Sequence, residues 1–172
     1  HRRSLDFDFY KKEIFIPGDL QNMLVGKLGA KNVKLSQMTK GFLGVEINGI
    51  EVTFFFYPYN IIKLLKFDFG SVASIQDIAG MKMIAIVQRG TKRDFVDLYF
   101  LIKNMGLKKI LEAVTEKYPG YNLYVGLQAL LYFEDAEQGN SAYNRFNPIV
   151  KFDWEEIKKS IRQEVFSVQK IL

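Results

Sequence analysis

Hydrophobic and polar residues alternate strictly near the start of the chain, where Leu5, Phe7 and Phe9 are interleaved with Ser4, Asp6 and Asp8. A period of two is that of a strand, so this stretch predicts one with a buried apolar face and an opposite face carrying both carboxylates. Pro17-Gly18-Asp19 punctuates the pattern, and residues 20–28 predict a short helix ended by Gly29. Residues 33–57 predict a β-meander. Asn48-Gly49 lies between GFLGVEI and IEVTFFFY, and the two central residues of a type I′ hairpin turn both need positive φ, which Asn and Gly tolerate best. In the second of those strands Ile50, Val52, Phe54 and Phe56 share one face, and Glu51 and Thr53 the other.

From Ser74 onward the period becomes helical. Ser74 and Asp77 have capping spacing, and Ile75, Ile78, Ala79, Ala85 and Ile86 mark an apolar stripe through SIQDIAGMKMIAIVQ. Arg89-Gly90-Thr91 closes that helix, and a second runs from Lys92 through RDFVDLYFLIKNM to Gly106. Further helices are predicted over residues 107–118 and 124–133, and a long amphipathic one over 153–169, with Asp153 and Glu156 at capping spacing. Residues 134–149 are polar and turn-rich and predict a mobile loop. Strands come first and helices after, which places the chain in the α/β (α+β) class, divided as a sheet region over 1–73 and a helical region over 74–172.

Composition narrows the chemistry. The 172 residues contain no cysteine, which excludes disulfide frameworks, thiolate zinc sites and thiol nucleophiles, and fits a reducing cytoplasm. The single histidine is His1, so a Ser-His-Asp triad or an H-E-x-x-H zinc site has very little material to work with. Carboxylates, lysines, hydroxyls and a hard metal ion are what remains for catalysis. Lys and Arg outnumber Asp and Glu by 24 to 19, a net charge of +5 that suits a phosphate-bearing partner. No apolar run approaches the ~18 residues of a membrane span, and the start has no signal-peptide core.

Asp6 and Asp8, on one strand face, lie roughly 7 Å apart at their Cα atoms. Two carboxylates that close repel unless a cation lies between them, and Mg²⁺ suits because it takes oxygen ligands and keeps phosphates in its shell. Equally, the pair can be the polar side of a solvent-facing strand. Lys82 occupies a stripe position where a hydrophobe is expected; it either snorkels to the rim of the core or turns into a cleft to meet a phosphate. Arg93 and Asp97, four residues apart on one helix, predict a surface pair worth a few tenths of a kcal/mol. Asp94 or Asp97 can instead orient a phosphate-binding lysine or an attacking hydroxyl. Glu51 joins the aspartates only if its part of the strand lies beside them, and Thr53 is no strong metal ligand.

Taken together, these segments resemble the AbiEii/AbiGii toxin family of nucleotidyltransferases, from type IV toxin–antitoxin and abortive-infection systems. HRRSLDFDFY is similar to the family's H-R-x-S-x-D-hydrophobic-D segment, residues 77–101 to its D-hydrophobic-x-x-x-K…R-x-x-x-R-D-x-x-D-L-Y block, and INGIEVTFFFYPY to its central hairpin strand. The resemblance implies a DNA-polymerase-β-like nucleotidyltransferase fold, a mixed sheet whose nucleotide cleft is completed by the helical region. It implies Asp6 and Asp8 as ligands of a catalytic Mg²⁺, with Lys82, Asp94 and Asp97 as further catalytic residues, Asp94 favoured because it follows Arg93 directly. Arg3, Ser4, Lys82, Arg89 and Arg93 are implied as nucleotide-binding.

The implied reaction moves a nucleotide from an NTP to an acceptor such as the 3′ end of tRNA or another RNA, in the cytoplasm, with an antitoxin partner and no membrane. In the family a Gly-Gly or Gly-Ser-Thr turn opens a helix before the D-x-D strand. The resemblance therefore implies an N-terminally shortened chain whose activity depends on that missing turn. Two rivals stand beside this reading: a catalytically degenerate protein that binds nucleotide, RNA or antitoxin, and a homo-oligomer that shields a bare sheet edge.

Overall fold

The computed structural model describes residues 1–138 and 147–170. The chain forms two compact units, one of residues Ser4–Tyr59 and the other of His1–Arg3 with Asn60–Leu172.

The first unit is a four-stranded sheet with one helix. Its elements are β1 (Asp6–Lys11), α1 (Pro17–Leu28), β2 (Val33–Thr39), β3 (Phe42–Ile47) and β4 (Ile50–Phe56), in the spatial order β1-β4-β3-β2. β2, β3 and β4 form the predicted antiparallel meander. Its tight hairpin has Asn48 at φ 52° and Gly49 at φ 84°, the positive values that a type I′ turn demands. β1 joins β4 in parallel, which makes the sheet mixed. α1 begins at Pro17, three residues before the predicted start, because a proline in the first turn loses no helical hydrogen bond and comes with φ already set.

Alternation along β2, β3 and β4 sends Val33, Leu43, Val45 and Val52 to one face, where they pack with Leu20, Leu24 and Val25 of α1 and with Phe15, Ile47 and Phe54. The predicted burial of the apolar face of β1 does not occur. Leu5, Phe7 and Phe9 are all exposed, Phe7 by 58%. β1 is an edge strand, and α1 packs over β2 and β3, so the helix does not cover it.

Among its described residues the second unit holds a two-stranded hairpin, β5 (Leu64–Phe67) and β6 (Gly70–Ala73), and six helices: α2 (Ile75–Arg89), α3 (Lys92–Met105), α4 (Leu107–Lys117), α5 (Leu123–Ala129), α6 (Glu134–Gln138) and α7 (Trp154–Gln169). Side-chain caps set the starts: Ser74 accepts from the Asp77 N–H, Thr91 from that of Asp94, Asn122 from that of Tyr124 and Asp153 from that of Glu155. The 124–133 helix predicted from the pattern is shorter. The N–H groups of Leu131 and Tyr132 bond three residues back, to Gln128 and Ala129, and this tighter turn ends α5. The predicted loop over 134–149 begins instead as α6, its residues 139–146 lie outside the described ones, and at its end Ile149 donates its N–H to the His1 carbonyl.

One buried ion pair ties this unit together. Asp77 and Lys117 are both 0% exposed and meet at 2.7 Å. Lys117 Nζ also donates to the Asn60 carbonyl at 2.7 Å, while the Asp77 carboxylate accepts the N–H groups of Ile62 and Lys63 and the Ser74 hydroxyl. Burial raises the Asp77 carboxyl, but the bonds from Lys117, Ser74 and the two backbone amides outweigh it and leave the group below its ordinary pKa. A buried pair is tolerated only when its remaining lone pairs and protons are satisfied in this way. The result fixes the entry to the β5–β6 hairpin against the start of α2 and the end of α4.

Candidate functional site

Asp6 and Asp8 project from β1 on the face opposite the α1-covered core. The parallel register sets Asp6 beside Glu51 and Asp8 beside Thr53, so Glu51 meets the condition for joining the aspartates. Glu46 follows on β3 opposite Glu51 and pairs with Lys34 of β2 at 2.8 Å. That contact, hydrogen bond first and charge second, raises the Lys34 pKa. The result is an acidic sheet face whose outer end is Asp6, Asp8 and Glu51.

Hydroxyls orient both aspartates. Ser4 Oγ donates to Asp6 Oδ1 at 3.0 Å, and Thr53 Oγ1 donates to Asp8 Oδ1. Each carboxylate has about four lone-pair positions, so one hydroxyl leaves most of them open. No group of three or more Asp, Glu, His or Cys side chains forms a metal cluster among the described residues. The donors present suit Mg²⁺, which takes one or two carboxylates and completes its shell with water and substrate phosphate.

The remaining predicted site residues lie in the helical unit. Lys82 extends from α2 to place Nζ 3.0 Å from Asp94 Oδ1 and 2.8 Å from Asp97 Oδ2, both on α3. Its α-helix buries Ala79, Gly80, Met83 and Ile86, whereas Ile75 and Ile78 are exposed. The apolar stripe is thus rotated from the predicted one, and Lys82 flanks it rather than occupying its centre. Arg89 grips Asp94 with two bonds, Nε at 2.8 Å and an Nη at 3.0 Å, and the Thr91 hydroxyl adds a third at 2.6 Å. Arg2 holds Asp97 in the same forked way at 2.7 and 2.9 Å, and the His1 ring nitrogen Nε2 lies 2.7 Å from it. The His1 ring also stacks on Phe100.

These partners set the charges. Burial raises the Asp94 carboxyl, but the Arg89 bond, the Lys82 charge and the Thr91 hydroxyl outweigh it and bring the pKa down to about 2. Asp97 is likewise lowered, with burial overcome by Arg2 and Lys82. Three basic side chains, Arg2, Lys82 and Arg89, therefore surround two acidic ones, a balance suited to an anion.

The predicted Arg93–Asp97 surface pair is absent. Asp97 is buried and taken by Arg2 and Lys82, while Arg93 Nε is buried with no hydrogen-bond partner among the described residues. Arg3 has an exposed side chain and is held by its backbone N–H to the Asn147 carbonyl. Sequence reasoning missed His1 and Arg2 as partners of Asp97, and Lys117 as the partner of Asp77. Lys117 carried the signal that marked Lys82, a lysine three residues beyond Val114 on an otherwise apolar stripe.

A mixed sheet bearing alternate aspartates, together with seven helices among the described residues, is consistent with a nucleotidyltransferase-like fold. The chain belongs to the nucleotidyl transferase AbiEii toxin family of type IV toxin–antitoxin systems, whose family model matches residues 34–172. The matched span includes Glu51, Lys82, Arg89, Asp94 and Asp97, and membership of such a system implies an antitoxin partner. The chain is also 33% identical over 172 residues, 96% of its length and 79% of the other's, to the uncharacterized protein aq_aa25 of Aquifex aeolicus (strain VF5). No solved structure matches it. No helix among the described residues is long and apolar enough to cross a membrane.

Proposed function

We propose that the chain transfers a nucleotide from an Mg²⁺-bound NTP to an RNA acceptor, with tRNA as the first candidate, in the cytoplasm. The observation that carries the reading is the pair Asp6 and Asp8, on one strand face beside Glu51 and each oriented by a hydroxyl with lone pairs to spare. Asp6 and Asp8 hold the ion, and Ser4 and Thr53 fix their carboxylates. Bound there, Mg²⁺ supplies Lewis-acid neutralisation of phosphate oxygens. Within the helical unit, Asp94 and Asp97 keep Arg2, Lys82 and Arg89 in fixed positions, a preorganised cationic cluster of the kind that favours a phosphate. The acceptor hydroxyl attacks the α-phosphorus, its proton passes to solvent, and pyrophosphate leaves.

One observation favours a second reading, a family member that binds nucleotide or RNA without turnover. Lys82 and Arg89 already satisfy Asp94 and Asp97, the arrangement of a structural charge network. A transfer assay separates the two. With labelled NTPs, Mg²⁺ and total tRNA, the transfer reading expects label in the RNA, reduced at least about a hundredfold by Asp6→Ala or Asp8→Ala. Absence of label, or label indifferent to both substitutions, refutes it.

A further inference from the structure

We infer that the β5–β6 hairpin is a stacking platform for unpaired bases of single-stranded RNA. The inference deepens the reading above by assigning the element that meets the acceptor, and it rests on that reading only for the role of the RNA. A two-stranded hairpin is marginal by itself, and this one presents apolar side chains to water. Register places Leu65 opposite Val72 and Phe67 opposite Gly70, so these residues form one face, and Leu65, Phe67 and Val72 are all exposed. Phe69, in the turn, is 82% exposed and lies parallel to Phe67, with ring centroids 5.2 Å apart and planes 11° apart. A contiguous exposed apolar patch of this kind marks a binding surface.

Three features select a nucleobase over an apolar protein surface. The Phe67 and Phe69 rings are nearly parallel and stacked, and Phe69 is largely exposed, which is the surface on which a flat base stacks. Gly70, opposite Phe67, has open space where a side chain would project, so nothing from the facing strand covers the ring. Charge agrees: Lys and Arg balance Asp and Glu within Ser4–Tyr59, so the whole excess of +5 belongs to the unit that carries the hairpin, where the exposed Lys63 and Lys66 outnumber the exposed Asp68 of the turn. The buried Asp77–Lys117 pair, through the backbone of residues 60–63, holds the hairpin base still and leaves the tip free to engage. A stacking surface on a fixed mount spends little ordering entropy on binding.

The test uses the whole chain, a fluorescein-labelled single-stranded oligoribonucleotide, and the same sequence as a blunt duplex, with binding read by anisotropy without NTP. Phe69→Ala is expected to weaken single-strand binding about tenfold and leave duplex binding unchanged, and Phe69→Trp to retain single-strand binding. An exposed residue of this kind can be changed without unfolding the protein, and an unchanged thermal midpoint checks that. The inference is overturned if the wild-type chain binds no single strand, if Phe69→Ala binds as wild type, or if it weakens single strand and duplex alike. It is also overturned if the substitution alters only the sedimenting mass, which would make the hairpin a self-association surface. Because NTP is omitted, RNA transfer with a Phe69-independent affinity would defeat this inference alone, and Phe69-dependent binding without transfer would defeat only the catalytic reading.

Discussion

The two units use charge in opposite ways. In the sheet unit the acidic groups sit outside a small core, four buried aliphatics under one helix, and Asp6 and Asp8 each accept a single hydroxyl. In the helical unit the acidic groups Asp77, Asp94 and Asp97 are buried, and every one is saturated by cations, hydroxyls or backbone N–H groups. Open carboxylates on a strand retain capacity for a metal ion, whereas saturated ones inside helices hold positive charge in place. The acidic residues of one motif set thus divide between open carboxylates and scaffolding, and burial with partner count tells them apart.

The contrast breaks most readily at its most buried point. Lys117→Met strands the Asp77 carboxylate without its cation, and chemical denaturation is expected to show a loss of about 3–5 kcal/mol. Asp77→Asn on top of it should restore part of that stability, since the uncompensated charge is gone. In the sheet unit the comparable blow is to packing: Leu43→Ala, at a fully buried site, is expected to cost about 2–5 kcal/mol in the same measurement.

A smaller effect concerns pH. Asp94 has a pKa of about 2 against 3.8 for an unperturbed carboxyl. Its folded pKa is depressed, so its contribution is full above the unfolded value and is lost as pH falls through about 2. The size is about 2 kcal/mol, and Asp94→Asn should flatten the acid limb of a stability–pH curve between roughly pH 4 and 2. Least of all, Lys34→Ala removes an exposed pair with Glu46 and should leave the thermal midpoint unchanged.

Local signals were legible in the sequence, and distant ones were not. Asn48-Gly49 fixed its hairpin because turn chemistry is a property of the two residues themselves, and Ser74 announced a helix start for the same reason. The alternation of residues 5–9 separated aspartates from phenylalanines correctly, yet it could not say that β1 would pair in parallel at an edge, beyond the reach of α1. Periodicity defines two faces and leaves open which one is covered. β5–β6 went unseen because each strand is only four residues long and its apolar residues are not buried. For the site, Asp6, Asp8, Lys82 and Asp94 stood out by motif and by misplaced charge. Arg2 and Lys117 depended on contacts 95 and 40 residues away, which no spacing rule reaches.

The claim that open carboxylates on β1 serve an ion and its nucleotide is tested most directly by titration calorimetry of ATP into the chain with and without Mg²⁺. Wild-type protein should bind ATP at least about tenfold more tightly with Mg²⁺, and the Asp6→Asn/Asp8→Asn variant should lose that enhancement while keeping its thermal midpoint. Mg²⁺-enhanced binding that survives in the double variant would contradict the account.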